Sequence, residues 1–328
     1  MIYRFGDNMD FVSVLVKMIE LFLIIIIGYG AYKVKYIDGG VKVALTKLIL
    51  NITMPCTILA SVMTAKELPE ASMIIKLLFI ATIEYAIYFV IAKVTSKVLR
   101  LTGSKKAVAE FAIMFANVGF VGFPVTNAVF GEASTFYTMI FNLPFNVLCY
   151  SLGVYLLQQG DATEEEKEFI EELPVKSRVN KICKLFMTPA MISSVIALVL
   201  AFTRVHTPAV IAGTCDIIGK ITTPGALIII GCALAQMPLK EMFGDIKAYF
   251  FTIICVIVTP AIVYLCYFKF VTEPLAIGEA VIMAGLPVAT AGTMLCVEYG
   301  GDEKFMAQIT FLTTLVSVIT IPVIAVLL

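Results

Sequence analysis

Asn117-Val-Gly-Phe-Val-Gly-Phe-Pro-Val-Thr-Asn127, set inside an otherwise apolar run, decides how this chain is read. Gly119 and Gly122 relax the backbone, while Pro124 has no N–H to give and clashes with the preceding turn. A second stretch, Ala284-Gly-Leu-Pro-Val-Ala-Thr-Ala-Gly-Thr293, repeats the pattern late in the chain around Pro287. Each predicts an interrupted helix, and freed backbone groups are costly in hydrocarbon unless protein or water satisfies them. The two breaks are therefore expected inside the protein, lining a wet cavity. The segment restarting after each proline offers unpaired N–H groups and a positive dipole end, a seat for a carboxylate. Asn117, Asn127, Thr290 and Thr293 can add neutral hydrogen bonds there. Packing kinks would use the same residues, but two interrupted spans at comparable places in two halves favour a transport site.

The rest of the chain puts these breaks in a membrane. Hydrophobic residues make up 60% and charged residues 15% of its 328 positions, and mean hydropathy is +0.98. A soluble chain carries about 25% charged residues, so there is too little polar surface here to cover a water-facing globule. Apolar runs of roughly 20 residues, the length that crosses a hydrocarbon core of about 30 Å, fall near 11–33, 44–63, 71–95, 106–130, 134–157, 184–204, 208–237, 246–269, 277–299 and 305–327. The fold class expected is an all-α membrane protein of about ten transmembrane helices. No small-residue cleavage site follows the first run, so it reads as a retained span rather than a cleaved signal peptide.

Lys and Arg concentrate in alternate loops: Lys33, Lys35, Lys42 and Lys47, then Lys97, Arg100, Lys105 and Lys106, then Lys167, Lys176, Arg178, Lys181 and Lys184. The positive-inside rule places these loops in the cytoplasm and both termini outside, in a multi-pass protein of the cell inner membrane. The longest connection, with Glu164 to Glu166, Glu168, Glu171 and Glu172 before its basic residues, reads as a solvated linker. It divides the chain into 1–160, a linker 161–183, and 184–328. Thr53-Met-Pro55 echoes in Thr222-Thr-Pro224, and the Gly131 stretch echoes in the Gly300 stretch, both at a spacing of 169. Two five-helix repeats follow, and an odd number of spans inverts the second copy in the membrane.

Few ionisable groups fall inside spans. Glu84 is mid-span, where a carboxylate costs at least about 2.5–3.5 kcal/mol; it is either a proton carrier or substrate-coupling group, or a buried acid paired with a neighbour or held protonated. Glu298 near the end of span nine is the other coupling candidate. Lys17 with Glu20, and Asp216 with Lys220, share helix faces and can pair. Asn51 is either interhelical glue or a cavity residue, and Asn146 stands on the same footing, with Asn142 and Pro144 beside it. The candidate substrate-binding set is thus Asn51, Asn117, Gly119, Gly122, Pro124, Asn127, Asn146, Pro287, Thr290 and Thr293. The eight scattered cysteines read as small core residues rather than disulfides or metal ligands. With one histidine, His206, and no Trp, the interfacial aromatics must be tyrosines, such as Tyr29, Tyr32, Tyr36, Tyr264 and Tyr267. No hydrolase, zinc-protease or phosphate-loop motif occurs, so no enzyme, cofactor or metal is expected, and no basic stripe invites nucleic acid.

Asn51-Ile-Thr-Met-Pro-Cys56, Asn117 to Pro124, Gly231-Cys-Ala-Leu234 and Gly285-Leu-Pro-Val-Ala with Glu298-Tyr-Gly300 occur in order over nearly the whole chain. In these the sequence resembles the auxin efflux carrier family of permeases, including bacterial malonate or malate permeases. The resemblance implies two inverted five-helix repeats and a scaffold domain. It also implies a transport domain with broken, crossing helices four and nine, and elevator-like alternating access. It further implies that Pro124 and Pro287 mark the crossover and that Asn117 sits beside the substrate carboxylate. The central loop is much shorter than that of long-loop plant members, so loop regulation does not carry over. The two prolines lie 163 apart rather than 169, which departs from equivalent half-sites. The function expected is a secondary transporter of a small mono- or dicarboxylate. A sodium-coupled symporter of the same architecture is the close alternative, and a membrane sensor or enzyme the distant one. Its partners are a small organic acid and the bilayer, with a homodimer left open.

Overall fold

A computed structural model describes residues 11–65, 68–161, 189–236, 243–289, 291–299 and 301–328. The linker lies outside the described residues apart from its first position, as do the N-terminal ten residues. The described chain is helical, and its only extended pairing is one isolated bridge, between Ala116 and Val288. The helices run α1 (Phe11–Lys33), α2 (Gly39–Leu48), α3 (Met54–Met63), α4 (Ala71–Val98), α5 (Gly103–Met114), α6 (Phe123–Phe130), α7 (Ser134–Leu148) and α8 (Val154–Asp161). After the linker come α9 (Pro189–Thr203), α10 (Ala209–Gly219), α11 (Thr222–Gln236), α12 (Ile246–Ile253), α13 (Thr259–Tyr267), α14 (Pro274–Ala284), α15 (Ala291–Tyr299) and α16 (Glu303–Leu327).

Among the described residues five helical runs are long and apolar enough to cross a membrane: Gly39–Met63, Ala71–Val98, Ala209–Gln236, Ile246–Tyr267 and Glu303–Leu327. Their outer faces carry Ile75, Phe79, Val90, Val210 and Ile319, all well exposed. Large apolar side chains spread over a whole surface need lipid rather than water around them.

Prolines shape these helices in a regular way. A proline ring clashes with the carbonyl four residues back, which for Pro55, Pro124 and Pro260 means Asn51, Phe120 and Val256. Those residues are the centres of three π-helical turns, Ile49–Thr53, Val118–Gly122 and Ile254–Val258. Widening the turn by one residue absorbs the clash and lets each helix continue beyond its proline. A fourth such turn, Cys149–Gly153, joins α7 to α8.

Packing sorts the helices into two neighbourhoods. In one, α1 lies against α11, and α3 lies against α9 and α10. Here glycines set the spacing: a Cβ on Gly231 would fall 2.1 Å from the Ile25 carbonyl oxygen, and one on Gly28 2.4 Å from that of Ile228. Hydroxyls knit α3 to the α10–α11 junction, where Thr222 Oγ1 donates to Thr53 Oγ1 at 2.8 Å and Thr57 donates to the Gly219 carbonyl at 3.0 Å. In the other, α4 packs on α5 and α7, α5 on α8, α13 on α14, and α12 on α16. Glu110, 3% exposed, holds α5 to α4 through Lys93 Nζ at 2.5 Å and Ser96 Oγ at 2.9 Å. Asp216 and Lys220 pair as expected, at 2.6 Å. Tyr267 departs from the interfacial reading: it is buried and donates to the Ile80 carbonyl.

Just before the Ile246–Tyr267 run, Asp245 both caps α12, accepting from Lys247 N at 2.9 Å, and pairs with Lys105 Nζ at 2.8 Å. Burial pushes its carboxyl up, but the bonds from Lys105 and Lys247 and their charges outweigh this and hold it below its usual value. A lowered folded-state value means the stabilisation is complete above the unfolded Asp value, about 3.9, and fades as pH falls through the folded one. Asp245→Asn keeps the cap and removes only the charge. It should cost about 0.2–1 kcal/mol at neutral pH. In thermal unfolding scans the gap to wild type should close as the pH is taken below about 4.

Candidate functional site

The two predicted breaks meet. Helix α5 stops at Met114, and Phe115 (φ −122°, ψ 86°) turns the chain extended. On the other side α14 stops at Ala284, with Gly285 as its cap. The short extended pieces then pair antiparallel: Asn117 N donates to the Pro287 carbonyl at 2.8 Å, and Ala289 N donates to that of Phe115 at 3.1 Å. Val288 N donates to Thr313 Oγ1 of α16 at 3.1 Å. Pro287 supplies only an acceptor, which suits a position whose N–H would otherwise need a partner. Peptide groups that leave a helix inside a membrane protein must be satisfied by protein, and here each break satisfies the other.

Asn117 starts the next helical stretch. Its Oδ1 accepts from Phe120 N at 3.4 Å, and its carbonyl accepts from Val121 N and Gly122 N at 2.9 and 3.0 Å. The side chain is 4% exposed, yet Nδ2 has no hydrogen-bond partner among the described residues. A buried amide donor left unmade costs about 1–3 kcal/mol, so this N–H pair is a standing invitation to an acceptor. Among the described residues no basic side chain forms part of the joint. The charge bias comes from the amide and from the helix start at 118.

The other predicted residues are distributed unevenly. Gly122 is at the joint: a Cβ there would come within 3.1 Å of Leu286 Cδ1. Gly119 faces Met54, and Pro124 is buried at the start of α6. Pro124 is therefore not at the crossing of the chains, which lies upstream at Phe115–Asn117 opposite Pro287. A proline in the first turn of a helix is accommodated there rather than breaking it. Asn127 is exposed and donates to Thr135 Oγ1 at 3.3 Å, tying α6 to α7. Asn51 is exposed on its π-helical turn. Thr293 is half-buried on α15. Thr290 lies outside the described residues, as do the side chains of Asn146 and Glu298. Glu84 is buried on α4 and accepts from the Tyr88 hydroxyl.

Sequence reading missed Glu279. It sits on α14 with 0% exposure, and Thr138 Oγ1 donates to its carboxylate at 3.3 Å. Thr126 and Thr138 hydroxyls are 2.7 Å apart, continuing the chain of oxygens to α6. The signal that could have found it is a carboxylate three residues into the apolar run 277–299.

Two small cavities flank the joint. One, of about 10 Å³, is bordered by Glu84, Tyr88, Ala116, Val118 and Met283, room for roughly one water molecule. The other, of about 40 Å³, lies between α1, α11 and α16 beside Pro287, with Thr314 and Ser317 as its polar wall. Neither holds a dicarboxylate as it stands, so the joint is closed in this conformation. No cluster of His, Cys, Asp and Glu able to hold a metal occurs among the described residues.

Apolar spans around a pair of mutually satisfied helix breaks define an integral membrane protein of the transporter class. The chain belongs to the membrane transport protein family, whose family model matches residues 13–325. This bears out the resemblance to auxin efflux carriers. It is 21% identical over 307 residues to a Rhizobium meliloti protein named "Putative malonate transporter", covering 93% of this chain and 92% of that one. It is 22% identical over 221 residues to "Uncharacterized transporter YfdV" of Escherichia coli, covering 66% and 68%. "Uncharacterized transporter MJ1031" of Methanocaldococcus jannaschii is 21% identical over 304 residues, covering 91% and 94%.

Proposed function

We propose that this chain is a permease for a small mono- or dicarboxylate, held where the Phe115–Asn117 and Pro287–Ala289 segments meet. The observation that carries the reading is the buried, unpartnered Nδ2 of Asn117 beside that joint. A carboxylate oxygen would complete it, and the start of the following helix would favour the charge. Gly122 admits close approach, and Thr293 is the remaining described side chain of the expected set on the α15 side. The relative named for malonate makes a short dicarboxylate the first substrate to try.

The architecture we infer is ten spans in two inverted five-helix repeats, 1–160 and 184–328 about the cytoplasmic linker, with both termini outside the inner membrane. The Thr53–Thr222 hydrogen bond supports it. These are the residues that the 169-residue spacing makes equivalent, and equivalent residues touch where they lie on a two-fold axis. Paired contacts agree, since α1 on α11 matches α9 on α3, and α4 on α7 matches α12 on α16. Transport by elevator-type motion would carry the joint past the α1–α11 neighbourhood, opening the cavity beside Pro287 to each side in turn.

Purified protein in liposomes should take up labelled malonate saturably, and uptake should persist when choline replaces sodium. Dependence on sodium would favour the symporter alternative. No uptake of any short mono- or dicarboxylate would remove the permease reading.

A further inference from the structure

We propose that Glu84 and Glu279 together form a proton-binding site that couples solute movement to the pH gradient across the membrane. The proposal rests on the permease reading and names its driving ion. Both carboxylates lie in the described interior, 2% and 0% exposed, on helices α4 and α14 that pack against each other. The charge of Glu84 reaches Glu279. Neither has an ion-pair partner among the described residues: Lys93 and Lys106 are engaged by Glu110, Lys105 by Asp245 and Lys220 by Asp216. The groups that face the pair are neutral hydroxyls: Tyr85 and Tyr88 on α4, Tyr267 on α13, and Tyr137 on α7, which has the acid Glu273 near it. On α16, Glu303 and Lys304 are exposed in the first turn. One uncompensated carboxylate in a membrane interior costs at least about 2.5–3.5 kcal/mol. Two such groups cannot both stay ionised.

The contacts around Glu279 outnumber the protons that the hydroxyls supply. Thr126 Oγ1 lies 3.0 Å from the Gly122 carbonyl, and Thr138 Oγ1 lies 3.0 Å from that of Ser134. The two hydroxyls lie 2.7 Å from each other, and Thr138 lies 3.3 Å from Glu279. Two hydroxyl protons cannot serve four contacts. When Glu279 takes a proton its bond with Thr138 reverses: the acid donates to Thr138 Oγ1, and the Thr138 proton is freed for another contact. A metal cation in the same place would need about six oxygens gathered around it, whereas these are already in contact with one another.

A separate feature joins the pair to the site. The one-water cavity bordered by Glu84 and Tyr88 reaches Ala116 and Val118, the residues on either side of Asn117, and Met283, one turn beyond Glu279. Helix α14 ends in the extended segment that pairs with Phe115–Asn117. While the pair holds its proton, α14 can stay packed in the closed form seen here. When a carboxylate gives its proton to water it needs hydration, which the closed joint has no room to supply. The proton enters from water on one side, converting carboxylate to carboxylic acid, and leaves to water on the other. No bond in the solute changes.

Two measurements on the full chain in lipid test this. Infrared difference spectra across an acid–base titration should show protonated-carboxyl bands that are lost in Glu279→Gln and in Glu84→Gln. The second measurement is the inside-to-outside malonate ratio in liposomes under an imposed pH gradient with the membrane potential clamped at zero, with downhill flux in the same liposomes as the control. One proton per solute gives about tenfold accumulation per pH unit. That ratio should fall to about one in either variant and be unchanged in Glu132→Gln, an exposed loop carboxylate. Monodispersity on size exclusion confirms that each variant is folded. Accumulation that ignores the pH gradient, or bands that survive both substitutions, overturns the proposal. If wild type moves no malonate, the permease reading fails on that substrate, and the infrared titration alone decides the proton site.

Discussion

Replacing Asn117 with aspartate is expected to abolish anion uptake while leaving the protein folded. Aspartate is the same size and keeps the oxygen that accepts from Phe120 N, so the helix start survives. What disappears is the unpartnered Nδ2 donor, and in its place stands an acid where a carboxylate must bind. Losing a hydrogen bond to a charged group costs about 1.5–3 kcal/mol, and like-charge juxtaposition adds more. Together these predict a fall in uptake of at least about a hundredfold at neutral pH. Asn117→Ala separates the two contributions: it removes the donor without adding charge, and also the cap, for about 1 kcal/mol of stability. Initial uptake rates of labelled malonate, with melting temperature measured alongside, check both. Wild-type rates in both variants would place the solute elsewhere.

The second large effect concerns folding. Alanine in place of glycine in a helix interior ordinarily stabilises by about 0.8–1 kcal/mol, and Gly30→Ala should do so, because nothing lies within 4 Å of its Cβ position. At Gly231 the same change reverses sign. Its methyl group would sit 2.1 Å from the Ile25 carbonyl oxygen and 2.6 Å from Tyr29 N. Both obstacles are backbone, so no side chain can swing away, and α1 and α11 must separate along their whole contact. Overpacking commonly costs about 1–3 kcal/mol, and this case belongs at or above the upper end. Gly231→Ala should elute as aggregate on size exclusion or melt well below wild type, while Gly30→Ala runs as a single peak. Equal behaviour of the two would mean that the helices are not in backbone contact.

Much of this organisation was legible beforehand because it depends on local chemistry. Length and apolarity announce membrane helices, and Asp216 with Lys220 four residues later announces a pair on one helix face. The spacing of 169 picked out Thr53 and Thr222, which then proved to touch. The breaks were found by their prolines and glycines, but the first was placed too late. Pro124 looked like the interruption, whereas the chain leaves its helix at Phe115, a residue with no local mark. What ends α5 there is the peptide ladder to Pro287–Ala289, a long-range pairing that no local pattern records. Glu279 was overlooked for a related reason. Its burial depends on α7 and α4 closing over it, and sequence alone showed only its nearness to the end of a span. Asn127 and Asn51 show the converse. Their residue type suited a polar cavity, but the rotation of their helices turns them outward.

The joint between the two helix breaks is written in peptide groups. Its two rungs run between main-chain N–H and C=O groups of residues 115, 117, 287 and 289, so side chains there can drift without undoing it. The exception is imino chemistry at 117 or 289, where the donating hydrogen would vanish. A connection of this kind leaves evolution free to remodel what the transporter grips while the clasp itself stays as it was.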